Sequence, residues 1–247
     1  MIAGVADTAA RRYCDPEAAP AGLETPSLAC GAAGVAYFLL RHSRCGGGDA
    51  SLEAAQTWVA QAERVRGRPG EPSLHFGEAG IWWVGALVAA EAGDVAGARR
   101  AAGRFVRAAA RAFDAPGDVT SGSAGLLLGC AQLVTTFDDS DAITVGTRLA
   151  RDLANLADRE VGLPDEIALG FLGAAHGWGG VAHALLRWSS AIGAPPTREA
   201  LALLERLAAH DDTPAHRLLS GELGVVLLHA ELEDPDHAAM PVFQAVG

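Results

Sequence analysis

The chain has 247 residues, of which 50% are hydrophobic, and a formal net charge of −11 with 19 arginines and no lysine. Because binding to a nucleic-acid backbone needs a basic face, we expect no nucleic-acid partner. No stretch approaches the ~20 uncharged apolar residues of a membrane span, so we expect no membrane partner. The length suffices for a sizeable core, and we expect one domain over residues 1–247. The four cysteines form no CxxC pair and no compact disulfide framework, which favours a reducing cytoplasm.

A six-residue signature, with glycine at its second and fifth positions, recurs five times. Its first glycines lie 46, 45, 55 and 44 residues apart, about the length of one helical hairpin. Each signature predicts the start of an almost uncharged helix, and the segments between signatures show the spacing of amphipathic helices. The signatures occupy residues 30–35, 76–81, 121–126, 176–181 and 220–225. In chain order, the predicted helices are 34–40, 51–66, 80–90, 95–113, 125–134, 141–159, 179–188, 197–210 and 224–232.

Helices without charge on any face must be buried or line a cavity. The simplest assembly is a ring of helical hairpins with the uncharged helices inside and the amphipathic helices outside. The sequence therefore predicts an all-α fold, an α/α toroid of about five GxxG hairpin repeats, a number that can leave the ring incomplete. We expect the GxxG glycines to be structural, allowing close backbone approach and loop dihedrals that are closed to other residues.

The fourth signature begins with His176, which is flanked by small residues at a predicted helix start. Such a histidine is sterically open and suits proton transfer or neutral metal ligation, but it can equally cap the helix or satisfy a core hydrogen bond. Asp118 lies three residues before the first position of the third signature. It is either a turn or N-cap residue, or a partner from the adjacent repeat that orients the imidazole and raises its basicity.

Cys30 and His75 are the other candidates on the inner rim of the ring. Together with His176 they have the ligand types that zinc prefers. No local pair such as Cys-His supports such a site, however, and free cysteine is commonly buried as a small hydrophobe.

The GxxG helices, the run Asp-Val-Thr-Ser-Gly-Ser-Ala-Gly at 118–125 and above all Gly-Ala-Ala-His-Gly-Trp-Gly-Gly at 173–180 resemble the lanthionine synthetase C-like family. The resemblance implies an α/α toroid in which a cysteine thiol of a dehydrated precursor peptide adds to dehydroalanine or dehydrobutyrine, forming a thioether ring. It matches His176 and Asp118 to the family's proposed catalytic acid/base groups. It also implies a peptide site on the inner rim, where the candidate substrate-binding residues are His75, Glu78, Ser121, Trp178 and Ser220.

The zinc ligands of that family have no counterpart in this sequence. Zinc-dependent members carry Trp-Cys-aromatic-Gly where this chain has Leu-Leu-Ser-Gly at 218–221, and no Cys-His-Gly follows. We therefore expect no metal and no other cofactor. Zinc-free cyclase domains belong to class III lanthipeptide synthetases, which also contain kinase and lyase domains. The resemblance thus implies a zinc-independent cyclase whose partners are a dehydrated leader-core precursor peptide and the kinase and lyase domains or proteins of its pathway.

Two other functions are compatible with the pattern. A non-catalytic scaffold that binds the precursor, or recruits a kinase or lyase to it, would need the toroid but neither zinc nor an acid/base pair. A glycosidase would need paired carboxylates in the lumen, and the inner helices supply only Glu78 and Glu222. The cyclase is the primary interpretation and the scaffold is the alternative.

Overall fold

The computed structural model of the chain describes residues 2–14, 25–65, 72–112, 115–161 and 173–209. Regular structure in these residues is helical throughout, without a strand. No helix in this part of the chain is long and apolar enough to cross a membrane. The chain divides into two compact units, Met1–Phe113 and Asp114–Gly247. The prediction of one domain stays a prediction.

The first unit holds two of the predicted hairpins and one helix that the pattern did not predict, at the start of the chain. A short kinked segment, Ser43–Gly47, joins the helices of the first hairpin, and Gly46 adopts a φ of 101° there. The helices are α1 (Ile2–Tyr13), α2 (Ala32–His42), α3 (Gly48–Val65), α4 (Glu78–Glu91) and α5 (Val95–Ala109).

The second unit repeats the same order of an uncharged helix followed by an amphipathic one. The fifth signature and the helix predicted at 224–232 lie outside the described residues. The helices are α6 (Ser123–Phe137), α7 (Ser140–Val161), α8 (Trp178–Ala191) and α9 (Arg198–Ala209).

The uncharged helices are buried, as predicted. In α4 every residue from Ala79 to Val88 is buried, which explains why this stretch carries no charge on any face. Within the first unit α4 packs on α2 as well as on α5, and within the second α6 packs on α8 as well as on α7. Each unit thus has two uncharged helices side by side, each covered by the amphipathic helix that follows it.

Five signature glycines in the described residues are required by close packing, and the expectation about loop dihedrals is wrong for the four that precede a described helix. The first glycines precede α2, α4, α6 and α8 with φ between −138° and −90° and extended ψ, which any residue can adopt. A Cβ at Gly122, however, would collide with the backbone carbonyl oxygen of Pro116, and one at Gly180 with that of Ala174. The same collision with a loop carbonyl occurs at Gly31, Gly34 and Gly80.

Candidate functional site

The loops before α2, α4 and α6 share one local turn, which the loop before α8 lacks because its corresponding residue is Gly173. The residue three positions before the signature accepts a hydrogen bond from the backbone N–H of the first signature residue: Asp118 Oδ1 accepts from Ser121 at 2.6 Å, and Ser73 Oγ from Phe76 at 3.1 Å. Asp118 is therefore a turn residue, which was the simpler of the two interpretations of the sequence. A carboxylate has a second oxygen, and in Asp118 that oxygen is left for another partner.

A buried threonine joins the third and fourth signature loops, residues 115–122 and 173–177. Thr120 donates twice to the carbonyl oxygen of Ala175, from its backbone N–H at 3.1 Å and from Oγ1 at 2.9 Å. The neighbouring Val119 is buried, and a Cβ added at Gly180 would lie 2.6 Å from its Cγ2. These contacts fix the two loops relative to each other. The residues that flank Thr120 in one loop therefore lie opposite those that flank Ala175 in the other.

The loops bring the two predicted acid/base residues together. His176 Nδ1 lies 3.8 Å from Asp118 Oδ2, at a distance that gives charge-charge attraction when the imidazole is protonated. The His176 side chain is 48% exposed and that of Asp118 is 20% exposed. Since Nδ1 faces the carboxylate, Nε2 is the ring nitrogen left to act on a bound molecule.

In the first unit the corresponding positions carry different chemistry. Ala29 donates its N–H to the carbonyl oxygen of His75 at 2.9 Å, which matches the Thr120–Ala175 bond in position and direction. The position of Asp118 is taken there by Ser27 and the position of His176 by Phe76. Two loop pairs with the same backbone geometry therefore differ in side chains, and among the described signature loops only the second unit has a carboxylate opposite an imidazole.

The predicted substrate-binding residues are divided between the two units and the part of the chain that is not described. Ser121 and Trp178 lie in the second unit, half-buried at the starts of α6 and α8. In the first unit His75 is buried at 7% exposure, whereas Glu78, in the first turn of α4, forms an ion pair with Arg111. Ser220 lies outside the described residues.

The sequence interpretation missed two residues that organise these loops. Thr120 was not singled out, because one threonine in a signature region carries no spacing that points to Ala175. Arg111 was missed because it follows Glu78 by 33 residues and only the α4–α5 hairpin brings the two together.

The donor groups in the described residues do not form a metal centre. No three or more His, Cys, Asp or Glu side chains group there in a way that could hold a metal ion. The Cys30 thiol lies 3.4 Å from Ser27 Oγ instead.

Comparison with known proteins agrees with this architecture. The family model of lanthionine synthetase C-like proteins matches residues 22–211. The chain belongs to this family. Among solved structures, nisin cyclase is similar with a TM-score of 0.60 and 13% sequence identity, over 86% of this chain and 66% of that one. This chain thus spans just under two thirds of the nisin cyclase chain. No curated protein matches it.

At 13% identity the likeness to nisin cyclase shows the fold alone. The predicted fold class, an all-α toroid, is confirmed. The count of five repeats stays a prediction, since the fifth signature of this family member lies outside the described residues.

Proposed function

We propose that this lanthionine synthetase C-like protein is a zinc-independent lanthipeptide cyclase. In this reaction a cysteine thiol adds to dehydroalanine or dehydrobutyrine in a dehydrated precursor peptide and closes a thioether ring. The observation that carries the proposal is the approach of His176 Nδ1 to Asp118 Oδ2, 3.8 Å apart, on two loops joined by Thr120. Family membership supports a peptide as the substrate.

The proposed reaction moves one proton from the thiol to the α-carbon of the dehydro residue, with no net gain or loss of protons. His176 Nε2 takes the thiol proton, and the thiolate sulfur bonds to the β-carbon of the dehydro residue while the C=C π bond breaks. The electron pair moves to the α-carbon, which is stabilised as an enolate by the adjacent carbonyl group. The imidazolium then returns the proton to the α-carbon, so that a single base also serves as the acid.

Asp118 is proposed as a positioning residue and not as the base. Its Oδ1 is held by the Ser121 N–H at 2.6 Å, so the carboxylate keeps Oδ2 directed at the imidazole. A carboxylate 3.8 Å from Nδ1 stabilises by its charge the imidazolium that forms after thiol deprotonation. When the two groups close to hydrogen-bond distance around a bound substrate, the carboxylate also favours the tautomer with its proton on Nδ1. This arrangement leaves Nε2 unprotonated and able to accept the thiol proton.

Zinc has no part in this proposal because the donor groups for it are absent from the matching positions. The segment 218–221 reads Leu-Leu-Ser-Gly, and neither leucine can bind a metal. Addition of a thiol to an activated alkene is mild enough to proceed with an imidazole base. Ser121, Trp178, His75, Glu78 and Ser220 remain the proposed peptide contacts. A single domain, a cytoplasmic location and kinase and lyase partners are further parts of the proposal.

The decisive experiment measures ring closure on a dehydrated precursor peptide by mass spectrometry after alkylation of unreacted thiols. His176→Ala should slow closure by ~10²–10⁴-fold, as expected for loss of a general acid/base, with helicity and peptide affinity near wild type. Asp118→Asn should cost less. Asp138→Asn is the matched control, since it removes the same charge at an exposed turn with a φ of 50°, which asparagine tolerates.

A reaction without protein is needed beside each sample, because such additions also proceed spontaneously. Wild-type protein that binds the precursor but gives no acceleration over that sample would exclude the cyclase. It would leave the non-catalytic scaffold, which the lack of a metal-binding group in the described residues favours as the second candidate.

A further inference from the structure

Helix α5 carries a charge opposite to that of the protein. It contains four arginines and no carboxylate, a net charge of +4, in a chain whose formal net charge is −11. The other amphipathic helices mix the two signs: α3 has three acids and one arginine, α7 four acids and three arginines, and α9 two of each. The positive charge is thus concentrated on one helix.

Three of these arginines form a stripe. At 3.6 residues per turn, Arg100, Arg104 and Arg107 fall within an arc of about 60° on α5. The opposite face buries a row of alanines and Phe105 against the core. All three arginines are exposed, and Arg111, two residues past the helix end, extends the row with its side chain 57% exposed. We call these four residues the α5 arginine stripe.

Two arginines of the stripe are held in place by contacts with residues of α4. The Arg104 guanidinium lies over the ring of the buried Trp82, 4.4 Å from its centroid, and Arg111 pairs with Glu78. A guanidinium stacked on an aromatic ring keeps its edge available for carboxylates. Asp94, the N-cap of α5, lies 3.9 Å from Arg100, at the other end of the stripe.

The stripe leads towards the signature loops of the first unit. Arg111 meets Glu78 in the first turn of α4, and two residues earlier lies Phe76, whose side chain is 54% exposed. A chain lying along α5 would therefore reach an exposed aromatic residue at the end of the hairpin where the uncharged helix begins.

We propose that the α5 arginine stripe binds an acidic segment of the peptide substrate, an inference that rests on the proposed function. The spacing suits an extended chain. Neighbouring arginines in the stripe are separated by about 4.5–6 Å along the helix axis at 1.5 Å per residue. Alternate residues of an extended peptide lie about 6.6 Å apart. A segment with a carboxylate at every second residue therefore places one acid near each arginine.

The first test uses a fluorescein-labelled peptide of four Glu-Ser repeats and its Gln-Ser counterpart, with binding followed by anisotropy at 20 mM salt. The stripe variant is Arg100→Gln/Arg107→Gln, which leaves the contacts of Arg104 and Arg111 with α4 in place. The control Arg151→Gln/Arg198→Gln removes the same charge from α7 and α9, where each arginine lies beside a carboxylate.

We expect the acidic peptide to bind at least tenfold more tightly than the Gln-Ser peptide, with an affinity that falls as salt is raised because the sites are exposed. The stripe variant should lose about tenfold and the control less than twofold. Equal binding of the two peptides, or an equal loss in the two variants, would overturn the proposal.

The second test joins the acidic run to a dehydrated substrate and compares ring closure. In wild-type protein the acidic extension should lower KM about fivefold relative to the Gln-Ser extension without changing kcat, and the stripe variant should abolish that difference. Ring closure with no preference for the acidic run would refute binding of the substrate by the α5 arginine stripe, while the proposed cyclase activity would still stand. Binding of the acidic peptide without any ring closure would refute the cyclase, and with it the assignment of the acidic segment to the substrate.

Discussion

Substitution of Gly180 tests whether close packing of the signature loops positions the candidate site. Gly180 lies in the first turn of α8, and a Cβ there would collide with the backbone carbonyl of Ala174 and lie 2.6 Å from Val119 Cγ2. The valine can shift, but the carbonyl belongs to the loop that carries His176. Gly180→Ala should therefore push this loop away from the loop that carries Asp118.

A matched control lies in the other unit. A Cβ at Gly85, in the middle of α4, would meet only the side chains of Val59 at 3.4 Å and Ala101 at 3.7 Å, which is ordinary contact. Gly85→Ala should stabilise the protein by ~0.5–1 kcal/mol, because alanine is the better helix former. Overpacking at Gly180 costs ~1–3 kcal/mol, which exceeds that gain.

The two variants should thus differ by roughly 1.5–4 kcal/mol in unfolding free energy, or about 3–16 °C in Tm at ~2–4 °C per kcal/mol for a chain of this size. The assay is thermal unfolding followed by circular dichroism at 222 nm, with ring-closure rates on the same samples. If Gly180→Ala raised Tm as much as Gly85→Ala and kept full activity, the argument that these loops are held by contact would be refuted.

Two further predictions concern cysteine chemistry and metal content. Burial, with a smaller effect of Asp139, raises the pKa of the Cys130 thiol to about 12 from a usual 9.0. Cys130 thus stays protonated in the folded state up to high pH, and its contribution to stability should fall as pH rises above about 9, where the unfolded chain ionises first. At pH 8 iodoacetamide should modify the native protein only at the exposed thiols and reach Cys130 only in denaturant, and four modified thiols without denaturant would contradict this burial. The exposed thiols are Cys14, Cys30 and Cys45. Elemental analysis should find no stoichiometric zinc, since residues 218–221 supply no ligand; about one zinc per chain, lost on mutation of Cys30, would contradict this.

Hydrophobic patterning predicted most of the fold because it is a local signal. A helical stretch that is buried on every side, such as residues 79–88 of α4, cannot carry charge on any face, whereas an outer helix needs an apolar face and a polar face. The five signatures therefore indicated the order of helix types along the chain. Helix α1 was missed because no signature precedes it, although its twelve residues are amphipathic like those of the outer helices.

The candidate site was predictable only in part. The sequence placed His176 and Asp118 in equivalent regions of adjacent repeats, but it left open whether the aspartate serves its own turn or the histidine. The structure shows that Asp118 Oδ1 serves the turn while Oδ2 faces the imidazole, because a carboxylate has two oxygens pointing in different directions. Spacing along a chain cannot show which oxygen faces which group.

By itself, then, the sequence determined the helix types, their order and the residues that could carry acid/base chemistry, since these depend on local periodicity and residue type. Tertiary structure alone decided the Thr120–Ala175 bond, the pairing of Glu78 with Arg111 and the exposure of the α5 arginine stripe. These joined residues lie 55 and 33 positions apart, and only the packing of helix on helix determines which distant backbone and side-chain groups come within contact distance.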